Sequence, residues 1–161
     1  MLLLDASGSV AWCWEFLEGI YSAIVEVLTQ SNATVEVIAY REKDMICELT
    51  CVFRNNSLYT LFPSGATPTG EAVIAAGMMM PQKGRRLMIH LTDGLWNTGV
   101  DTWYGLEFCR RQNIDVVTLG FGSAEEALQI QYGKEFELVR SIDDLPKALE
   151  TLLRHKLLGR P

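Results

Sequence analysis

Oxygen-bearing side chains follow the first apolar stretch of the chain. Residues 1–4 are Met-Leu-Leu-Leu, and Asp5, Ser7 and Ser9 come directly after them. These three side chains can point the same way because Gly8 allows the loop to turn tightly between the two serines. Carboxylate and hydroxyl oxygens are hard donors of the kind that Mg²⁺ and Mn²⁺ prefer. Taken alone, the segment could also be an ordinary helix start.

Two later loops offer the same chemistry. Residues 65–70 are Gly-Ala-Thr-Pro-Thr-Gly, and residues 91–94 are Leu-Thr-Asp-Gly, in which Asp93 ends an apolar run. The three loops supply only carboxylates and hydroxyls, and two formal negative charges favour Mg²⁺ or Mn²⁺ over Zn²⁺. We therefore expect an octahedral magnesium site if the fold brings these loops together.

The elements between the loops alternate between strand-like and helix-like patterns. Strands are predicted at 1–4, 34–40, 45–53, 86–91, 114–120 and 135–139. Helices are predicted at 12–29 (closed by Ser31 and Asn32), 66–80 (with Pro68 near its start and Pro81 past its end), 101–112, 124–131 and 142–157. The polar turn 41–44 makes a hairpin of the second and third strands. The repeated β-α units predict a doubly wound α/β fold: a mostly parallel sheet with one antiparallel edge strand and helices on both faces.

This topology determines where the two acids lie. Ligands of open parallel sheets bind outside the carboxyl ends of the strands, at the point where the strand order reverses. If the 86–91 strand pairs on the free side of the first strand, the reversal lies between them. Asp5 and Asp93 would then face each other across the crevice.

Composition excludes several classes of partner. The formal net charge is −6, and basic residues are scattered, some in short pairs such as Arg85 and Arg86, with no long basic stripe, which argues against binding to nucleic acid. No apolar stretch approaches 18 residues and the opening residues lack a basic segment, so we expect no membrane span and no signal peptide. The four cysteines form no Cys-x-x-Cys pair. Reduced thiols and a cytoplasmic location are therefore predicted.

The three loops together resemble a known family. Asp-x-Ser-Gly-Ser, a Thr in a Gly-x-Thr-x-Thr context and a Thr-Asp-Gly after a strand are similar to the metal-ion-dependent adhesion site of von Willebrand factor type A domains. The resemblance covers nearly the whole chain and implies a single domain over residues 1–161. It implies that the metal is held by five residues, Asp5, Ser7, Ser9, Thr67 and Asp93. Ala66 stands where the family usually has a second glycine.

The resemblance also implies a function without catalysis. In such a site the cation retains affinity for one more anionic oxygen, so an Asp or Glu of a protein partner can complete its coordination. The loops look closest to the intracellular bacterial members, which work beside ring-shaped ATPases of the chelatase and MoxR type, so an AAA+ ATPase is a candidate partner. The chain could be a domain excised from a larger subunit of that kind or a single-domain protein.

Plain structural alternatives exist for each part of the site. Ser9 could cap the following helix, and Thr67 could cap the next one with Pro68 at its first helical position. Asp93 and Gly94 could form a tight turn. An alternative function is that of a Mg²⁺-dependent hydrolase or phosphoryl-transfer enzyme. No nucleophile elbow, phosphate-binding loop or second acid two residues after Asp5 supports it.

Aromatic and sulfur side chains near the loops raise a separate question. Trp12 and Trp96 are candidates for partner contact, whereas Trp103 and one of Trp12 and Trp14 are expected to pack inward. His90 is predicted to be an ordinary strand residue and His155 a solvated one. The run Met78–Met80 is predicted to be a helix end packed against the sheet, with an adaptable binding surface as the alternative.

Overall fold

A six-stranded sheet forms the centre of the molecule. The computed structural model describes residues 1–30, 33–54, 56–94, 96–122, 125–133 and 135–158. The strands are β1 (Leu2–Asp5), β2 (Val37–Lys43), β3 (Ile46–Cys51), β4 (Phe53–Arg54), β5 (Ser57–Leu58), β6 (Leu87–Thr92), β7 (Asp115–Gly120) and β8 (Phe136–Leu138). The central sheet has the order β3-β2-β1-β6-β7-β8, and only the β2–β3 pair is antiparallel. The predicted mostly parallel sheet with one antiparallel edge strand is confirmed.

Side chains of the central strand alternate between two hydrophobic clusters. Leu2 and Leu4 of β1 belong to one cluster and Leu3 belongs to the other. Successive side chains of a strand point to opposite faces of the sheet, and here both faces are covered. An unbroken apolar run is therefore what a buried central strand requires.

Helices cover both faces of this sheet. They are α1 (Trp14–Gln30), α2 (Thr69–Met79), α3 (Thr102–Arg111), α4 (Glu125–Tyr132) and α5 (Leu145–Leu158). α1 and α5 supply side chains such as Ile20 and Leu145 to the cluster of Leu2. α2 and α3 supply side chains such as Val73 and Cys109 to the cluster of Leu3. The predicted helices on both faces are confirmed.

The starts of three helices differ from the prediction, and one of them is α2, which begins at Thr69 rather than at 66. A 3₁₀ segment, Gly8–Cys13, precedes α1, so the α-helix begins at Trp14 rather than Trp12. The tighter turn arises because the Val10 N–H bonds to the Ser7 carbonyl, three residues back. A second 3₁₀ turn, Ile142–Asp144, precedes α5. The predicted helix end at Ser31 and Asn32 lies outside the described residues.

The predicted hairpin is present, and its turn has unusual backbone angles. Asp44 and Met45 link β2 to β3 with φ values of 52° and 65°. The predicted third strand is shorter than expected and ends at Cys51. The Val52 N–H still bonds to the carbonyl of Val37, which lies opposite it in the β2–β3 register, whereas the Val52 carbonyl accepts from the Tyr59 N–H. A two-stranded hairpin, β4–β5, follows, although no strand was predicted beyond Phe53.

β1 lies between β2 and β6, so the strand order reverses between β1 and β6. The carboxyl ends of these two strands carry Asp5 and Asp93. Within the described residues, no helix combines the length and apolar character that crossing a bilayer would need.

Candidate metal centre

The first loop places three oxygen donors at the end of β1. Asp5 and Ser7 are fully buried, and Ser9 is half-buried. The Ser7 N–H donates to Asp5 Oδ1 over 3.0 Å, and the hydroxyl oxygens of Ser7 and Ser9 lie 2.9 Å apart. Ser9 lies inside the 3₁₀ segment, whose N-cap is Ser7 with no side-chain capping bond. The alternative that Ser9 is a helix cap is therefore wrong.

The second loop contains a buried hydroxyl group without a partner. Thr67 is fully buried, and its Oγ1 forms no hydrogen bond to any described residue. Helix α2 begins at Thr69 with Pro68 as its N-cap, so Thr67 does not cap it and Pro68 is not its first helical residue. The capping alternative is wrong here too. A buried hydroxyl without a partner costs about 1–3 kcal/mol, and a ligand that used this oxygen would recover part of that cost.

The third loop follows β6 and reaches back to the first. Asp93 is 5% exposed. The preceding Thr92 hydroxyl donates to Asp5 Oδ2 over 2.8 Å and accepts from the Gly94 N–H over 3.0 Å. Gly94 has a φ of 81°, a left-handed conformation that glycine adopts without strain. A turn at Asp93 and Gly94, the plain structural alternative for this loop, is thus compatible with a carboxylate at the crevice.

Hydrogen bonds between the loops hold the three segments together. The Gly8 N–H donates to the Gly65 carbonyl over 2.9 Å, which joins the first loop to the second. The Thr67 N–H donates to Asn97 Oδ1 over 2.8 Å, which joins the second loop to the third. Gly65 has a φ of 76°, and a Cβ there would lie 1.9 Å from the Glu42 carbonyl oxygen. Only glycine therefore allows this close approach.

The two acids interact electrostatically. Burial, followed by the negative charge of Asp93, raises the pKa of Asp5 to about 6. Hydrogen bonds from Ser7 and Thr92 act in the opposite direction and do not overcome these effects. Such a carboxylate is costly to keep ionised, and a bound cation would relieve both the burial and the repulsion.

The donor set fits a hard divalent cation. The five predicted ligands offer two carboxylates and three hydroxyls, one of which, Thr67 Oγ1, is buried and without a partner. Across the described part of the chain, no three His, Cys, Asp or Glu side chains form a metal-binding group. A site here must therefore depend on hydroxyl oxygens as well as carboxylates, a set typical of Mg²⁺ or Mn²⁺ rather than of a softer ion.

A buried polar network lies beneath these loops. His90, a β6 residue as predicted, is fully buried between Tyr40 and Tyr132. Its Nε2 lies 3.0 Å from the Tyr40 hydroxyl and its Nδ1 lies 3.2 Å from the Tyr132 hydroxyl. The Tyr40 hydroxyl also lies 3.2 Å from Thr69 Oγ1. Burial lowers the pKa of His90 to about 3, so the ring is neutral near pH 7 and only a weak base.

The tryptophans only partly follow the prediction. Trp12 is 72% exposed, whereas Trp14 is half-buried and packs against the cluster of Leu2. Trp96 is half-buried, and its Nε1 is buried without a hydrogen-bond partner in the described structure. Trp103 is 56% exposed, so the prediction that it packs inward is wrong. Buried α3 positions are taken by the small residues Thr102, Gly105 and Cys109, which let α3 approach α2 closely.

The prediction for the run Met78–Met80 is also only partly correct. Met80 is buried, as predicted, whereas Met78 and Met79 are 67% and 54% exposed. Because α2 ends at Met79, only the residue after the helix turns towards the sheet. The side chain of His155 lies outside the described structure.

Sequence reasoning missed two residues that position the site. Thr92 orients the Asp5 carboxylate, and the Asn97 side chain holds the backbone of Thr67. Thr92 adjoins Asp93 in the quoted loop and could have been considered with it. Asn97 pairs with a residue 30 positions away, and no local pattern indicates such a contact.

Comparisons with known proteins support the fold. No protein-family model matches the chain, and no curated protein matches its sequence. BatB from Bacteroides thetaiotaomicron matches with a TM-score of 0.73 and 18% identity, over 99% of this chain and 98% of that one. Manganese-loaded TRAP protein from Plasmodium vivax matches at 0.69 and 15%, over 94% and 71%.

A third solved structure is proximal thread matrix protein 1 from the mussel byssus, described as having a zinc-occupied MIDAS motif. It matches with a TM-score of 0.69 and 16% identity over 94% of this chain, which spans 46% of the mussel protein. All three have a von Willebrand factor type A fold. The chain therefore has the von Willebrand factor type A fold, as the resemblance of its three loops predicts.

Proposed function

We propose that this chain is a metal-dependent protein-interaction module. Asp5, Ser7, Ser9, Thr67 and Asp93 hold a divalent cation, Mg²⁺ or Mn²⁺. The bound cation supplies a positive charge to which an Asp or Glu of a protein partner can coordinate. Structural neighbours described as manganese-loaded or as having a zinc-occupied MIDAS motif support a divalent metal in this fold.

The observation that carries the proposal is the buried Thr67 hydroxyl without a hydrogen-bond partner. Buried hydroxyls are nearly always satisfied, so one that is not calls for a ligand. It belongs to a loop that is hydrogen-bonded to the loops of Asp5 and Asp93. The raised pKa of Asp5 supports the same conclusion, because two buried acids that repel each other favour a cation nearby.

The wider context of the module is also part of the proposal. An AAA+ ATPase is the candidate partner supported by the sequence resemblance to chelatase and MoxR-associated proteins. Four cysteines without a disulfide support a cytoplasmic location. One sheet shared by both hydrophobic clusters supports a single domain over residues 1–161.

We further propose that the module is not an enzyme. One structural neighbour is described as a pilus adhesin, and the mussel protein is described as a matrix protein. His90 is buried and held by two tyrosine hydroxyls, so it cannot act as a general base at the crevice. Mg²⁺-dependent turnover of a phosphoester that is lost in Asp5→Ala would contradict this part of the proposal.

A pair of threonine variants tests the metal site. Thr67→Val removes a buried hydroxyl that has no partner, so the metal-free protein should be as stable as the parent or more stable. The same variant should lose most of its stabilisation by Mg²⁺ or Mn²⁺. Thr69→Val is the matched control, since its hydroxyl pairs with Tyr40 instead. It should lower the stability of the metal-free protein by about 1 kcal/mol and keep the metal response.

Thermal unfolding in EDTA and in saturating metal measures both effects. A ligand at 100 times its Kd stabilises the folded state by about 2.7 kcal/mol, which raises the Tm of a protein of this size by about 5–11 °C. We expect this rise in the parent and in Thr69→Val. An equal rise in Thr67→Val, or no rise in the parent, would refute the proposed site.

A further inference from the structure

Large apolar side chains stand exposed around the candidate site. Trp12, Met45 and Phe62 are 72%, 90% and 84% exposed, and they are three of the four most exposed large apolar side chains among the described residues. A single exposed apolar side chain needs no explanation, but several around one site indicate an interaction surface. These three residues are called the apolar rim below.

One side of the apolar rim lies above β7. Trp12 belongs to the 3₁₀ segment that follows the first loop. Its ring atom Cζ2 lies 3.1 Å from the position that a Cβ would take on Gly122, two residues after β7 ends. The indole is therefore held over the carboxyl end of β7 and leaves most of its surface in solvent.

The other side of the apolar rim lies above β2 and β3. The Phe62 carbonyl accepts a hydrogen bond of 2.8 Å from Arg41 Nη1 in β2. Met45 lies in the turn that connects β2 to β3. Both residues are therefore at the carboxyl end of β2, the same edge of the sheet that carries Asp5 and Asp93.

The strand order gives the spacing between the two sides. The order β2-β1-β6-β7 contains three intervals of about 4.8 Å, and the candidate site lies in the middle interval. Measured across the sheet, the Trp12 side and the Phe62 side of the apolar rim are thus each about 7 Å from the site. Met45 lies further out, because β2 continues for three residues past Tyr40, the partner of Asp5. Two residues of an extended peptide span about the same distance, at ~3.3 Å per residue.

Met45 occupies a position where local folding does not favour a methionine. Its φ of 65° follows a φ of 52° at Asp44, and a hairpin turn with two left-handed residues prefers Gly or Asn at such positions. A residue with a side chain loses about 1–2 kcal/mol in this conformation. Because the side chain is also 90% exposed, packing within the chain does not compensate for this cost. Contact between the Met45 side chain and a partner would compensate for it.

The charge of the chain limits the chemistry of that partner. With a formal net charge of −6, the module repels a densely acidic segment. We propose, on the basis of the function proposed above, that the partner segment is extended and carries one Asp or Glu with large apolar side chains two residues before and two residues after it. The carboxylate occupies the metal centre, and the apolar side chains contact the apolar rim on either side.

Four short capped peptides provide the test. The first is Gly-Phe-Gly-Asp-Gly-Phe-Gly, the second has Ser in place of both Phe, the third has Asn in place of Asp, and the fourth is Gly-Glu-Glu-Asp-Glu-Glu-Gly. Binding is measured by NMR titration in Mg²⁺ and again in EDTA. We expect the first peptide to bind at least about tenfold more tightly than the other three, and only in Mg²⁺. The second and fourth peptides lack the two phenylalanines, whose burial is strongly favourable. The third peptide lacks the carboxylate that binds the cation.

Variants of the apolar rim test whether its residues contact the peptide. Trp12→Ser and Phe62→Ser should each weaken binding of the first peptide by about fivefold or more and leave the Mg²⁺-dependent rise in Tm unchanged. Met78→Ser is the control, because Met78 is similarly exposed. It lies near the C-terminal end of α2, whereas the loop of the candidate site directly precedes the N-terminal end of that helix at Thr69. This variant should leave peptide binding unchanged.

Three results would overturn the inference. They are equal affinities for the Phe and Ser peptides, tightest binding by the glutamate-rich peptide, and no Mg²⁺-dependent binding of the Phe peptide by a parent protein that Mg²⁺ stabilises. A parent protein that Mg²⁺ does not stabilise would instead refute the proposed function, so the two failures are distinguishable.

Discussion

The buried His90 should make the stability of this protein depend on pH. Burial lowers the pKa of His90 from its ordinary value near 6.5 to about 3. Between these two values the unfolded chain binds a proton that the folded chain does not, so stability is lost as pH falls. From pH 7.5 to pH 5.0 this single group should lower the free energy of unfolding by about 2 kcal/mol.

Asp5 has the opposite effect over part of this range. Burial and the charge of Asp93 raise the pKa of Asp5 to about 6, so the folded protein takes up a proton there before the unfolded chain does. Stability from this group increases as pH falls from about 7 to 4. The parent protein alone would therefore show only a small net change, and a variant is needed to isolate His90.

His90→Gln provides that variant. A glutamine amide can hydrogen-bond to the hydroxyls of Tyr40 and Tyr132 but does not titrate. Urea unfolding in EDTA measures the free energy of unfolding of the parent and of His90→Gln, each at pH 7.5 and at pH 5.0. The parent should be the more stable protein at pH 7.5, and its advantage over His90→Gln should fall by about 2 kcal/mol at pH 5.0. An advantage that stays constant between the two pH values would refute this reasoning, since it would mean that the folded protein protonates His90 as readily as the unfolded chain.

Three further predictions concern the loops and the helix packing. Asp5→Asn should raise the stability of the metal-free protein at pH 7 by about 1–3 kcal/mol, because it removes a buried charge that Asp93 repels, and calorimetry should show no metal-dependent stabilisation. Met45→Gly should stabilise the protein by about 1 kcal/mol in urea unfolding, since glycine adopts a φ of 65° without strain. Gly70→Ala should cost about 3 kcal/mol or more, because its Cβ would lie 2.2 Å from the Val100 carbonyl oxygen. Gly19→Ala is the control in α1, where the new Cβ meets only the tip of the Ile142 side chain. Because alanine favours the helix more than glycine does, the stability should stay the same or rise by up to about 1 kcal/mol.

The fold was predictable because its signals are local. The apolar run of β1, the helical spacing of α1 and the polar turn after β2 each depend on residues within a few positions of one another. Alternation of strands and helices then restricts the topology to a parallel sheet with right-handed crossovers. Element ends were less predictable, because the 3₁₀ segment Gly8–Cys13 and the hydrogen bond from the Tyr59 N–H to the Val52 carbonyl, just after β3, are contacts that the pattern does not encode.

The types of donor at the candidate site were also evident from the sequence. Carboxylates and hydroxyls after apolar strands indicated a hard cation. The strand reversal between β1 and β6 was expected only if the 86–91 strand paired on the free side of the first strand, as it does. The sequence did not show which hydroxyl lacks a partner, that Thr92 and Asn97 position the loops, or that Trp103 is exposed. It also gave no indication that His90 is enclosed by two tyrosines.

The sequence by itself determined the kinds of side chain available and the order of the elements that carry them. The tertiary structure decided which of those side chains pair with each other, which are left without partners and which remain exposed. The physical reason is that residue type and periodicity are properties of short segments. Hydrogen-bond partners, burial and the repulsion between Asp5 and Asp93 depend on distances between segments that are far apart in the chain and adjacent only after folding.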